Sequence, residues 1–315
     1  MRFSATRSLA IAAQSLSLHA GVSVRRARQL QRRAIVMLHG VGDAEFPAGD
    51  FLRAMQWLGR HFDVVSLPAM LGDIRRGRAP SARGEVALTF DDGLRNNVDV
   101  AYPVLRSLGL PATFFVCPGL IDDGAWIWTH AVRARLANVS ASVREDLRAT
   151  LDAPHGDIEP LVGWMKTLRP AARRAAEDAV RDATPRFTPT DAQRRAYDLA
   201  DWNALRTLDP TLVTLGSHTL RHPILPTLDE AAIREELVLS RRRLEQATGR
   251  EAALMCYPNG SLDARVRALA AETYGAALTC GERHVDHGVD LLAIPRIPVA
   301  ARLSLLAWRL HRPQA

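Results

Sequence analysis

Two adjacent carboxylates, Asp91 and Asp92, close the apolar run of LTFDDG (88–93) and are followed by a glycine. Consecutive side chains on a strand point to opposite faces, so the pair can serve one site only if the backbone bends there. Gly93 permits such a bend. Two carboxylates at one site push their pKa values apart, which suits one metal ligand beside one proton acceptor. A plain turn at a strand end reads the same text equally well. A second strand end, GSHTLRHP (216–223), carries His218 and His222. Imidazoles four residues apart can converge on one ion across a single helical turn. One carboxylate and two imidazoles leave positions for water and substrate, the arrangement of a catalytic divalent site rather than a structural one. The third, Cys256-Tyr257-Pro258-Asn259-Gly260, makes a tight turn whose N–H groups can face a shared centre, as an oxyanion site requires. An ordinary strand-to-helix turn is its alternative.

These residues need elements whose ends lie together. From Ala34 onward, apolar runs at 34–41, 63–67, 85–92, 112–117, 212–218, 252–258, 276–280 and 291–297 predict strands. Helical patterns at 51–61, 97–108, 229–248 and 261–273 alternate with them, with Asp229 and Ser261 as caps. That alternation predicts a parallel sheet covered by helices, open or closed into a barrel, with its chemistry at the carboxyl ends of the strands. Residues 125–200 break the rhythm with Trp126, Trp128, Trp164 and Arg/Ala/Glu-rich helical text. This is a helical insertion, either a cap that adds stability or a lid with aromatic sugar platforms.

The charge is unevenly placed. The chain of 315 residues has a net charge of +7, yet residues 1–33 hold seven arginines and no acid. The remainder is balanced, which excludes a nucleic-acid-binding fold with a basic face. Leu9, Ala12, Ala13 and Leu16 lie at helical spacing before RRARQLQRR. The arm therefore reads as a basic amphipathic helix that touches an anionic membrane surface or packs on the domain. Export is the alternative, but Gln14, Ser15 and Ser17 interrupt the apolar core that a signal peptide needs. The expected location is thus cytoplasmic, peripheral at the inner membrane. No run approaches the ~20 apolar residues of a membrane span. Cys117, Cys256 and Cys280, odd in number and far apart, suggest small buried hydrophobes rather than disulfides or a zinc knuckle.

LTFDDG and SHTLRHP, in this order and on strand ends, resemble the first two motifs of the polysaccharide deacetylases of carbohydrate esterase family 4. WNALRTLDPTLVTLGSHTLRHP (202–223) is similar to the family's lead-in to the second motif. The resemblance covers residues 34 to 300 without the insertion and implies a distorted (β/α) barrel of about seven parallel strands. It further implies a divalent metal on Asp92, His218 and His222, zinc first, with cobalt, nickel or manganese as alternatives. The resemblance makes Asp91 the general base; the Pro-Asn-Gly turn would offer the N–H at Asn259 to the oxyanion, with Tyr257 and Pro258 beside the substrate, and Trp126 and Trp128 are substrate contacts if the insertion is a lid.

The chain departs from better-known members at two places. Their third motif has an arginine that orients the base, where this chain has Cys256; Arg296 in IPRIPV is the expected substitute. Their C-terminal histidine, which protonates the leaving amine, is also absent. His311 ends a helical pattern, whereas the first strand, IVMLHGV, ends in His39. In a closed barrel the first strand neighbours the last, so His39 is the expected general acid. His284 and His287 read as a solvated loop rather than a second metal site. The expected activity is metal-dependent removal of an N-acyl group, acetyl first, from an amino sugar of a polysaccharide, oligosaccharide or lipid-linked precursor. A deformylase of a lipid-linked amino sugar and a catalytically weak carbohydrate-binding relative are the alternatives.

Overall fold

The computed structural model describes residues 2–311, with side chains from Ala10 onward. All eight apolar runs contribute strands: β1 (Arg33–Leu38), β2 (Asp63–Val64), β3 (Glu85–Phe90), β4 (Ala112–Val116), β5 (Val213–Ser217), β6 (Leu254–Cys256), β7 (Ala276–Leu278) and β8 (Ile297–Pro298). β1, β3, β5 and β6 stop short of the ends of their apolar runs, and the residues that follow them leave the ladder as loops. Every pairing is parallel, in the order β7-β6-β5-β4-β3-β1-β8, and β2 pairs with the first two residues of β3.

The two edges of this sheet meet through one stretch of chain. Ile294 bridges Leu278 beyond β7, and Ile297 then pairs with Val36 of β1. Residues 291–298 therefore close a distorted (β/α) barrel, with Arg296 between the two contacts. β1 lies beside β8, as the expectation for His39 requires.

Strand alternation sorts the barrel into layers. Val86, Leu88 and Phe90 of β3 face outward, where Phe90 meets Phe51 and Phe114 edge-on at 6.0 and 5.0 Å. Phe51 comes from α3 (Ala48–His61), and α5 (Tyr102–Leu108), which continues a π-turn at Asn97–Ala101, packs in the same layer. Ile35, Ala87, Phe115 and Cys256 form a second cluster, with Leu67, Met70 and Leu71 of α4 (Leu67–Arg75). A third joins Met255, Tyr257 and Ala277 to α13 (Glu230–Thr248) and α14 (Ala264–Thr273). Near the amino ends of the strands, buried Arg33 donates from Nε to Glu85 at 2.8 Å. Arg33 thus belongs to the barrel rather than to the basic arm. Asp229 caps α13, but Asp263 and not Ser261 caps α14, because the preceding turn carries the chain past Ser261 before the helix begins.

The insertion is helical, as expected. After α6 (Pro118–Asp123), which follows β4, residues 125–200 form α7 (Trp128–Ala137), α8 (Ala141–Leu151), α9 (Ile158–Met165), α10 (Pro170–Ala183) and α11 (Asp191–Tyr197), before α12 (Trp202–Arg206) returns to the barrel. Trp128, Val132, Leu147, Leu161, Met165 and Val180 give it a core of its own, joined to the barrel through Cys117 and Ile224.

The N-terminal arm forms α1 (Arg2–His19) and α2 (Val22–Leu30), which pack on α15 (Leu303–His311). Ser17 and Ser23 are buried and share a hydrogen bond of 2.9 Å. Among the described residues no helix is long and apolar enough to cross a membrane.

Candidate active site

The loops leaving β3, β5 and β6 converge on one buried spot. Asp91 follows Ala87 and Thr89 on the inward face of β3. Strand alternation would then send Asp92 outward, but Asp92 has φ 74° and Gly93 φ 67°. Two successive left-handed residues turn the backbone so that both carboxylates reach the cavity. A Cβ on Gly93 would lie 3.0 Å from Val116, so any other side chain there would be both strained and crowded.

Asp91 is gripped by Arg296. Its Oδ1 and Oδ2 accept from the two guanidinium nitrogens at 2.7 and 2.6 Å. Arg296 is fully buried and itself fixed: Nε donates to the Thr279 carbonyl at 2.9 Å, and the terminal nitrogens reach Thr89 Oγ1 at 3.1 Å and Cys256 Sγ at 2.8 Å. Burial by itself would raise the pKa of Asp91. The Arg296 charge and its hydrogen bonds prevail, with His218 and His39 behind them, and bring it down to about 2. Cys256 is more than filling, since its thiol lies against both partners of this pair.

Asp92 faces the other way. Its Oδ1 lies 3.5 Å from Nε2 of both His218 and His222. The three ligand atoms lie within 4.8 Å of one another, and all three residues are buried. His218 donates from Nδ1 to the Cys256 carbonyl at 2.8 Å, which leaves the Nε2 lone pair for an ion. Burial first, then the nearby His218 charge, holds His222 down at about 3, so its imidazole is neutral and free to ligate. The donor set of one carboxylate oxygen and two imidazole nitrogens fits a divalent cation. Asp91, His218 and Cys256 also lie within that span. Arg296, however, occupies both Asp91 oxygens, and burial keeps the Cys256 thiol protonated.

The two imidazoles do not converge by a helical turn, as their spacing suggested. Thr219 and His222 both have positive φ, 66° and 56°, and the loop is irregular. Hydrogen bonds hold it: Thr219 N–H donates to Ser217 Oγ at 3.1 Å, and His222 N–H to Thr219 Oγ1 at 3.1 Å.

His39 is exposed and follows β1 directly. Leu38 pairs with Phe90, and the Leu38 carbonyl accepts from the Asp91 N–H at 2.9 Å, so the two backbones run side by side here, and the His39 imidazole is near enough for its charge to act on both Asp91 and Asp92. Asn259 is exposed with φ 58°, and its side-chain oxygen accepts from Lys166 Nζ at 2.7 Å.

Other substrate candidates are elsewhere. Tyr257 points outward by strand alternation, is fully buried, and donates its hydroxyl to the Leu292 carbonyl at 2.9 Å. Pro258 is buried beside it. Trp128 is also buried: it donates from Nε1 to the His222 carbonyl at 3.2 Å, with the Arg173 guanidinium 4.9 Å from its ring centre. None of these three can touch a sugar; Trp128 supports a ligand instead. Trp126 stays half-buried, donates to Asp198 at 2.7 Å, and meets Tyr197 edge-on at 5.5 Å. His284 is not in a solvated loop but is buried, bonding the Leu310 carbonyl at 2.9 Å.

Two residues near the site carry no sequence signal. His130, in α7, has Nε2 3.5 Å from Asp92 Oδ2. Lys166, the only lysine of the chain, reaches Asn259 from just beyond α9. Both arrive on the insertion, where single residues have no partner spacing to mark them.

Residues 78–159 and 165–276 match the family model described as polysaccharide deacetylase. The match holds Asp91, Asp92, His218, His222 and the Tyr257–Gly260 turn, and omits His39 and Arg296. Among solved structures the chain is similar to the Streptococcus pyogenes deacetylase PplD in complex with acetate, with TM-score 0.61 and 17% identity over 90% of this chain and 99% of that one. It is also similar to IcaB from Ammonifex degensii, with TM-score 0.59 and 15% identity over 90% and 98%. The BpsB deacetylase domain from Bordetella bronchiseptica gives TM-score 0.54 and 18% identity over 85% and 96%. At such identities the likeness is one of fold. No curated protein matches the sequence.

Arg296→Met leaves Asp91 buried, ionised and unpaired, and is expected to lower stability by about 3–5 kcal/mol. Arg296→Lys keeps a charge without the planar fork. It should unfold closer to wild type in urea while kcat for amide hydrolysis falls about 10- to 100-fold through misorientation of Asp91. An unchanged kcat in Arg296→Lys would show that the fork does not position the base.

Proposed function

This chain belongs to the polysaccharide deacetylase family, and we propose that it removes the acetyl group from an N-acetylated amino sugar of a saccharide, with a divalent metal held by Asp92, His218 and His222. One observation carries the reading: Asp91, ionised and locked to Arg296, adjoins the three-ligand cluster without belonging to it. A carbohydrate-binding relative would use the cluster but would have no need of that buried ion pair, whose desolvation is costly. Zinc suits the one-carboxylate, two-imidazole set, with cobalt, nickel and manganese as alternatives.

A divalent ion there would supply a Lewis acid for the acyl oxygen and lower the pKa of water from about 15.7 toward about 7. The side chains divide the remaining work. Asp91 accepts the proton of the attacking water, and Arg296 keeps its oxygens aimed. The Asn259 backbone N–H donates to the oxyanion. The exposed His39 gives the leaving amine its proton. Trp126 and Tyr197 offer ring edges to a sugar at the wall.

The arm supports a membrane-linked version of this reading. Among the described residues the exposed large hydrophobics are Ile11, Leu16, Val22, Leu30 and Leu239, and the first four lie on α1 and α2. Leu16 is 71% exposed, and Arg25, Arg26 and Arg28 are exposed on α2. Apolar side chains set among arginines suit an anionic lipid surface. We therefore assign the protein to the cytoplasmic face of the inner membrane, where a lipid-linked amino sugar is within reach.

Acetate release from N-acetylated oligosaccharides should fall about 10²- to 10⁴-fold in Asp91→Asn, with bound metal retained. Metal in the wild type without acyl release from any amino sugar would favour the binding module. His39→Ala should lose the alkaline limb of the pH–rate profile; a wild-type profile would remove it as the acid. The variant Leu16→Ser/Arg25→Glu/Arg26→Glu should no longer sediment with phosphatidylglycerol vesicles while its turnover of soluble oligosaccharide is kept. Sedimentation equal to wild type would reduce the arm to packing on α15.

A further inference from the structure

Asp92 offers two oxygens, and only Oδ1 faces the cluster. His218 and His222 stand 3.5 Å from Oδ1, whereas His130 Nε2 stands 3.5 Å from Oδ2. The set of donor atoms that all lie within 4.8 Å of one another comprises Asp92, His218 and His222, without His130. A third imidazole therefore bears on the carboxylate from the side away from the cluster.

His130 is held firmly. Its ring stacks on Tyr197 with centroids 4.7 Å apart and planes 21° from parallel, and Tyr197 in turn meets Trp126. Its Nδ1 is buried and has no hydrogen-bond partner among the described residues, so the proton of the neutral ring is best placed on Nε2, facing Oδ2. Two residues earlier in the same helical turn, Trp128 Nε1 donates to the His222 carbonyl. The first turn of α7 thus touches two of the three ligands, one through its side chain and one through its backbone.

We propose that this turn is an outer clamp on the metal site: His130 donates to Asp92 Oδ2 and so presents Oδ1 alone to the ion, while Trp128 fixes the His222 loop. The inference rests on the metal reading above. It makes His130 a positioning residue that acts through Asp92, and it makes the helical insertion part of the metal site. A carboxylate free to swing would present either oxygen or both. One tethered through Oδ2 cannot, and outer-shell donors of this kind contribute to metal affinity.

The test is zinc binding by metal-free protein, followed by competition with a chromophoric chelator. His130→Ala should bind zinc about 10- to 100-fold more weakly, the usual cost of removing an outer-shell donor. His130→Gln, which keeps an N–H donor, should recover part of that loss. Zinc X-ray absorption should show two imidazoles in the wild type and the same two in His130→Ala. Equal affinity in wild type and His130→Ala would overturn the proposal, as would equal losses in the Ala and Gln variants. Three imidazoles on zinc in the wild type would make His130 a ligand and overturn the positioning role. Circular dichroism and melting of the metal-free variants check that the fold is kept. No zinc binding by the wild type would sink the metal reading itself, a result distinct from a failure of the clamp alone.

Discussion

The ion pair of Arg296 with Asp91 sets the terms for the rest of the site. A carboxylate and a guanidinium with almost no access to water are tolerated only when every donor and acceptor is met. Here that demand is satisfied by parts distant in sequence. Thr89 comes from β3, Cys256 from β6, Thr279 from the loop after β7, and Arg296 from the stretch that closes the barrel. The pair forms only if the closing stretch reaches β1 in register, so barrel closure and the ionisation of Asp91 depend on one another.

Backbone strain is concentrated at the same end. Among the described residues, six non-glycine side chains have positive φ, and four of them, Asp92, Thr219, His222 and Asn259, lie on loops at the site. Each such conformation costs roughly 1–3 kcal/mol and persists only where its surroundings over-determine it. The strand ladders and the Phe51–Phe90–Phe114 layer provide the rigid frame, while hydroxyls of Ser217 and Thr219 hold the histidine loop. Strain here is what lets adjacent or near-adjacent residues point to one place.

The helical insertion has a core of its own, yet it is not a detached cap. It contributes His130 beside Asp92, Trp128 behind His222, and Lys166 on the Asn259 turn. Its aromatic residues divide by burial. Trp128 is structural, whereas Trp126 and Tyr197 are half-buried, with Tyr197 stacked on His130 and Trp126 edge-on to Tyr197.

Much of this was legible in the sequence, for a physical reason. Parallel strands are short apolar runs ending in polar residues, and LTFDDG and SHTLRHP mark two such ends with residue types that bind divalent ions. The strand count, the helical text of the insertion, the gathering of carboxylates and imidazoles at strand ends, and the order of strands that brings β1 beside the last could be read from pattern; the choice of Asp92 over Asp91 beside His218 and His222 came only from the family resemblance. Which face a side chain takes at a strand end could not, because one bend reverses it: Tyr257 lies outside while Cys256 lies inside. Nor could the distance from Arg296 to Asp91, separated by some 200 residues, be more than an expectation. His130 was invisible, since a single histidine on a helix has no spacing to betray it. Local pattern determines what each segment can be; only closure of the barrel and docking of the insertion decide which side chains share a charge, because those contacts arise from the packing of distant elements.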